Sequence, residues 1–120
     1  MQTQIKNQYN NEIHKLITEF APHAFATETL FLTKNQKTAI FVAQARGVIL
    51  YEAAKHSLPI FEYAPLQIKA AITGYGKSDK KQMTAMVEQL ITIKKEVIYD
   101  DEYDAIAIGL TYFAIEKQGR

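Results

Sequence analysis

Thirteen acidic and fourteen basic residues nearly cancel over the chain, to a net charge of +1. Their placement is far from even. Glu96, Asp100, Asp101, Glu102 and Asp104 give residues 96–104 a balance of −5, while Lys69, Lys77, Lys80 and Lys81 against Asp79 give residues 69–81 a balance of +3. Asp101 and Asp104 stand three apart, so on a helix both project from one face. A like-charged pair costs stability unless cations compensate, and hard Mg²⁺ takes oxygen ligands while keeping several of its own waters. Glu28 is a further carboxylate far away in sequence, at the end of an apolar run. Carboxylates that hold a metal beside lysines that hold a polyanion are what metal-dependent phosphodiester hydrolysis requires. Each feature also has a plain reading: charge runs form solvated surface, and a D-x-x-D at a helix start is explained by capping.

The elements that must position these groups follow from periodicity. Ile5, Tyr9, Ile13, Leu16, Ile17 and Phe20 recur at spacings of three and four, which predicts an amphipathic helix over 4–20, ended by Ala21-Pro22. Ala24 to Glu28 reads as a buried strand ending in its carboxylate. After a loop at Lys34-Asn35-Gln36, Thr38 to Lys55 reads as a long helix. Its Ala39, Ala43 and Gly47 make a stripe open either to intramolecular packing or to a dimer seam. Leu58 to Tyr63 is a second strand, and strand, helix, strand implies parallel pairing with a right-handed crossover. Pro65 opens a short helix carrying Leu66, Ile68 and Lys69, and Gly74-Tyr75-Gly76 breaks it. Ser78 or Asp79 caps the next helix, which should bury Met83, Met86, Val87, Leu90 and Ile91. A last helix from Asp101 to Glu116 opens with acidic residues, favourable at the positive end of its dipole, and should bury Ile106, Ala107, Leu110 and Phe113.

Composition narrows the chemistry. The 120 residues, 48% hydrophobic and 22% charged, fit one globular domain. With no cysteine in the sequence, disulfides, thiolate zinc sites, iron–sulfur clusters and cysteine nucleophiles are excluded. No apolar run reaches the roughly 20 residues of a membrane span, and the polar start does not resemble a signal peptide, so a cytoplasmic, membrane-free protein is expected. Ala71 to Ser78 nearly matches a P-loop, but its first glycine is alanine and it follows a helical pattern rather than a strand. His14, His23 and His56 have no i, i+4 pair among them and read as surface or packing histidines. Neither Ser57 nor Ser78 lies in a G-x-S-x-G elbow.

The F-A-x-E-x-x-F segment from Phe25, Q-A-R-G at 44–47, F-E-Y-A at 61–64 with the following Gln67-x-Lys69, T-G-x-G at 73–76 and D-x-x-D-A at 101–105 are more specific. Together they resemble RuvC, the bacterial Holliday-junction resolvase family of the RNase H-like (integrase) α/β fold, over roughly residues 10 to 115. The resemblance implies that Glu28 is a strand-borne catalytic and metal-binding glutamate and that Asp101 and Asp104 are its helical partners. It further implies that Phe31 meets DNA bases near a junction centre and that Lys69 and Lys80 are basic residues important for cleavage that hold phosphates; Lys77 and Lys81 of the same basic run are expected to bind DNA beside them. Mg²⁺ is the implied cofactor, and four-way junction DNA, a second copy of the chain in a homodimer and a branch-migration helicase complex are the implied partners. Attack by a metal-activated water on a phosphodiester is the implied chemistry.

One departure stands out. Members of that family start with a G-I-D-P-G-like strand whose aspartate is the first metal ligand, followed by two more strands, and this sequence shows no such segment. Read as an N-terminally truncated version of the fold, it should keep two of five strands, carry an open edge beside the Glu28 strand, fold marginally, hold at most one metal weakly and cleave slowly or not at all. The sequence therefore supports a junction nuclease, a catalytically inactive DNA-binding or dimerising fragment, and, less well, an RNA-directed nuclease of the same fold.

Overall fold

The structure is a computed structural model that describes residues 2–29, 36–96 and 100–117. The order of elements is α1 (Gln2–Phe20), β1 (Phe25–Glu28), α2 (Gln36–Lys55), β2 (Ile60–Tyr63), α3 (Pro65–Thr73), α4 (Lys80–Leu90) and α5 (Asp100–Glu116). Phe31 and the Lys34-Asn35 part of the expected loop lie outside the described residues. β1 and β2 pair in a two-stranded sheet. The Phe25 N–H donates to Pro59 O and the Thr29 N–H to Tyr63 O, each at 2.9 Å. Both bonds link residues 34 apart, and a constant offset means parallel strands, as the strand–helix–strand pattern requires.

By contacts the chain forms two compact units, residues 1–25 with 30–61 and residues 26–29 with 62–120. In the first unit α1 packs on α2. Ile13 and Ile17 are half-buried, whereas Leu16 and Phe20 of the same apolar stripe are exposed. Ala39 and Ala53 are buried, and so is one charged side chain, Glu52, at 3% exposure. The small stripe of α2 is only partly covered: Ala39 is buried, but nothing lies within 4 Å of where a Cβ on Gly47 would stand. Ala21, at φ 45°, turns the chain out of α1 ahead of Pro22.

In the second unit α3, α4 and α5 pack on one another around Ile68, Ile72, Val87, Ala107 and Thr111, with Tyr63 of β2 also buried. Local chemistry sets the helix ends. Pro65 occupies the first turn of α3, and the Gln67 side chain accepts from the Ala64 N–H at 2.8 Å. Gly74 closes α3 in the left-handed region at φ 81°, a conformation that costs glycine nothing, and returns its N–H to Ala70 O. Asp79 caps α4 reciprocally: its carboxylate accepts from the Gln82 N–H and the Gln82 side chain accepts from the Asp79 N–H, both at 2.8 Å. Asp100, Asp101 and Glu102 occupy the first turn of α5, where the helix dipole favours them.

Several expectations need correction. β1 starts at Phe25 rather than Ala24 and is half-buried, with Glu28 exposed, because a two-stranded sheet leaves much of its surface uncovered. α2 starts at Gln36. Ile91 lies beyond the end of α4, and both it and Leu90 are exposed. Phe113 is 64% exposed, while its neighbour Thr111 is fully buried with its hydroxyl donating to Ala107 O at 2.8 Å. A helix apolar on all sides does not reveal which stripe its neighbours will cover. Asp79, not Ser78, supplies the cap; Ser78 is itself buried.

Candidate functional site

Four elements of the second unit bring charged groups to one cleft. Glu28 is the last residue of β1, Lys69 lies on α3, Lys80 is the first residue of α4 and Asp104 sits one turn into α5. All four line a cavity of about 290 Å³, whose apolar walls are Pro65, Ile68, Met83, Ala107 and Ile108. Lys80 Nζ is ion-paired with Asp104 Oδ1, joining the start of α4 to α5 at the mouth of the cleft. Both side chains remain 51% exposed, so the pair is open to competition by an incoming anion or cation.

The loop that delivers Lys80 is tied internally. The Thr73 hydroxyl donates to Lys69 O at 2.9 Å and accepts from the Tyr75 N–H at 3.1 Å, with Ser78 Oγ 3.0 Å away. The Ser78 N–H bonds Tyr75 O at 3.1 Å. The T-G-x-G segment is thus a knot of side-chain and backbone bonds between the helix bearing Lys69 and the helix bearing Lys80. A Cβ on Gly76 would come within 3.3 Å of the Leu66 side chain, so the loop lies close against α3. This role of Thr73 and Ser78 was readable only as a loop in the sequence, although two hydroxyls flanking two glycines are a fitting signal.

Of the sequence-expected residues, the structure brings together Glu28, Asp104, Lys69 and Lys80. Asp101 is exposed on α5, three residues before Asp104, and is not among the residues lining the cleft. Lys77 and Lys81 are exposed to either side of Lys80 in sequence and likewise do not line it. Two carboxylates in one cleft are suitable oxygen donors for Mg²⁺, with Asp101 close by on the same helix. Among the described residues, however, Glu28, Asp101 and Asp104 do not form a close cluster of three ligand atoms. The cluster that does so is elsewhere, in the first unit: His14, Glu52 and His56, whose ligand atoms all lie within 4.8 Å of one another. With no histidine pair at i, i+4, spacing alone predicts surface or packing histidines; the Glu52-x-x-x-His56 spacing is the sequence signal for the cluster.

Near the far end of α5, the buried Tyr63 hydroxyl donates to Glu116 Oε1 at 3.3 Å. Burial, reinforced by the neighbouring Glu116 charge, pushes the Tyr63 hydroxyl up to about 12. Among the described residues no helix is long and apolar enough to cross a membrane.

Parallel strands joined through a helix, with a carboxylate at a strand end sharing a cleft with a helical aspartate, are consistent with an RNase H-like fold, and the match to solved structures shows that class. The chain superposes on the Thermus thermophilus RuvC structure with a TM-score of 0.88 and 26% identity, covering 99% of this chain and 72% of that one. It matches T. thermophilus RuvC in complex with Holliday junction substrate with a TM-score of 0.87 and 27% identity, covering 95% and 69% of the two chains. More narrowly, the chain belongs to the family described as Crossover junction endodeoxyribonuclease RuvC, whose model matches residues 1–112. It is 45% identical over 100 residues to the protein of that name from Natranaerobius thermophilus, covering 83% of this chain. It is 48% identical over 98 residues to that from Thermosipho melanesiensis, covering 82%. The chain spans 62% of the length of both relatives.

Proposed function

We propose that residues 1–120 form a RuvC-like nuclease domain whose Glu28, Asp101, Asp104, Lys69 and Lys80 act in metal-dependent cleavage of DNA at four-way junctions. The convergence of Glu28, Asp104, Lys69 and Lys80 in one cleft is the observation that carries this reading. Glu28 and Asp104, with Asp101 beside them, would hold Mg²⁺, which when bound activates a water and stabilises charge on the phosphodiester. Lys69 and Lys80 receive the phosphate, adding salt-dependent affinity without base preference. Ile68, Met83 and Ile108 form an apolar wall beside these charged groups, which themselves remain open to solvent and so to an incoming DNA strand. Lys77 and Lys81 extend the basic surface along the DNA backbone, and Phe31 stacks on a base at the junction centre. Relatives bearing the crossover-junction name and the solved complex with a Holliday junction substrate support this substrate. A homodimer would present two such clefts to the two matching strands of a junction, and a branch-migration helicase is the natural supplier of that junction.

A second reading, junction binding without cleavage, is favoured by the Lys80–Asp104 ion pair and by the position of Asp101 off the cleft wall. The two are separated by incubating the chain with labelled four-way junction, linear duplex and RNA–DNA hybrid in Mg²⁺. Nicked products from the junction alone support the nuclease. A junction complex in a mobility-shift gel without products supports the binding reading. Cleavage of the RNA hybrid instead would overturn both.

A further inference from the structure

We infer that His14, Glu52 and His56 form a binding site for a divalent transition-metal ion of the zinc class, separate from the acidic cleft and independent of the function proposed for it. Three ligand atoms stand in a near-equilateral triangle. His14 Nδ1 is 3.1 Å from His56 Nε2, His14 Nδ1 is 3.3 Å from Glu52 Oε1 and His56 Nε2 is 3.2 Å from the same oxygen. Metal–nitrogen and metal–oxygen bonds of roughly 2.0–2.1 Å in tetrahedral geometry separate neighbouring ligand atoms by about 3.3 Å. The triangle is therefore one face of a zinc tetrahedron, within a few tenths of an ångström.

Hydrogen bonding alone satisfies this triangle poorly. If both imidazole nitrogens carry hydrogens, both donate to Glu52 Oε1 and the nitrogen–nitrogen edge joins two donors. If only one does, the other nitrogen turns its lone pair toward a carboxylate lone pair. A central cation converts all three lone pairs into ligands. The Glu52 side chain is only 4% exposed, and a buried carboxylate needs a compensating cation. Its other oxygen, Oε2, already faces Lys55 Nζ at 3.7 Å, which leaves Oε1 to the histidines.

The fold supplies the positioning. Glu52 and His56 are one turn apart at the end of α2, where the His56 N–H contacts Glu52 O and Ala53 O, and Leu58 N–H returns to Ala53 O at 3.1 Å. Ser57, at φ 60°, makes the left-handed turn that ends the helix just after His56. His14 comes across from α1 with its side chain 56% exposed, so solvent can reach the fourth coordination position. Two imidazoles and one carboxylate select zinc, cobalt, nickel or copper over Mg²⁺, whose preference is for oxygen. An ion held there would clip α1 to α2.

The test is zinc titration of the untagged 120-residue chain against a chromophoric chelator, with His14→Gln, His56→Gln and Asp104→Asn variants checked for helicity by circular dichroism. One Zn²⁺ per chain is expected, with affinity at least about tenfold weaker in H14Q and H56Q and unchanged in D104N; even loss of an outer-sphere partner costs 10–100-fold. Zn²⁺ should also raise the melting temperature of the unaltered chain and not of H14Q, a variant at an exposed position that leaves the fold in place. Co²⁺ substitution should give the intense visible bands of a four-coordinate ion. Absence of stoichiometric binding, equal affinity in folded H14Q, or loss of binding in D104N would each overturn the assignment.

Discussion

Lys80 is paired with Asp104 and also proposed to hold a phosphate, and these roles make opposed, measurable demands on one side chain. Replacing it with glutamine removes both. Since each partner is 51% exposed, the ion pair contributes no more than about 1 kcal/mol, so Lys80→Gln should leave the denaturant midpoint nearly unchanged. Each lysine–phosphate contact adds about 0.9 to the magnitude of the slope of log K against log salt, so K80Q should flatten the slope by about 0.9 and Lys69→Gln with K80Q by about 1.8. Raising salt from about 50 to 200 mM then weakens binding about 3.5-fold less for every lysine removed. Asp104→Asn should act in the other direction. It releases Lys80 from its carboxylate and should tighten binding in chelator without a comparable fall in slope. Fluorescence anisotropy of a labelled four-way junction in EDTA, from low to moderate salt, reads all three variants without cleavage. An unchanged slope in K80Q, or weaker binding in D104N, would refute the assignment of Lys80 to phosphate. A loss of more than about 2 kcal/mol of stability in K80Q would instead show the pair to be structural.

The remaining expectations concern the frame that holds the cleft. Val87→Ala, at a side chain only 1% exposed among α3, α4 and α5, should cost about 2 kcal/mol in a denaturant melt, well beyond the effect of K80Q. Asp79→Ala removes the carboxylate that accepts from the Gln82 N–H and should cost about 1 kcal/mol by the same melt, loosening the turn from which Lys80 projects. Tyr63 keeps its proton up to about pH 12 in the folded chain but only to about 10 when unfolded, so the unfolded state loses its proton first as pH rises. Stability from this group is therefore whole below pH 10 and falls between pH 10 and 12 by up to about 2–3 kcal/mol. Tyr63→Phe should abolish that alkaline fall in melts taken across the range.

The helices, the parallel strand order and the position of the α4 cap, to within Ser78 or Asp79, were legible because each is written in local spacing or local side-chain chemistry. Pro65, Gly74 and Asp79 each act within a turn of their own position, and α3 and α4 accordingly begin and end near where they should. Burial was less legible. α5 presents Ile106, Ile108, Leu110, Phe113 and Ile115 around its circumference, and the packing of α3 and α4 covers Ala107 and Thr111 while leaving Phe113 to solvent. For the candidate cleft, residue types and spacing pointed to Glu28, Asp101 and Asp104 and the family resemblance to Lys69 and Lys80, of which all but Asp101 line it. The Lys80–Asp104 pairing, spanning 24 residues, needed the fold. So did the His14–Glu52–His56 triangle, since His14 and His56 are 42 residues apart and only the packing of α1 on α2 makes them neighbours.

The cleft's identity as a nuclease site is tested most directly by single-turnover cleavage of a four-way junction in Mg²⁺, comparing the unaltered chain with Glu28→Gln and Asp104→Asn at protein concentrations that saturate binding. Slow, Mg²⁺-dependent paired nicks that disappear in both variants, while both still bind the junction, are expected. Junction left intact by the unaltered chain, or cleavage that persists in D104N, would contradict the nuclease assignment.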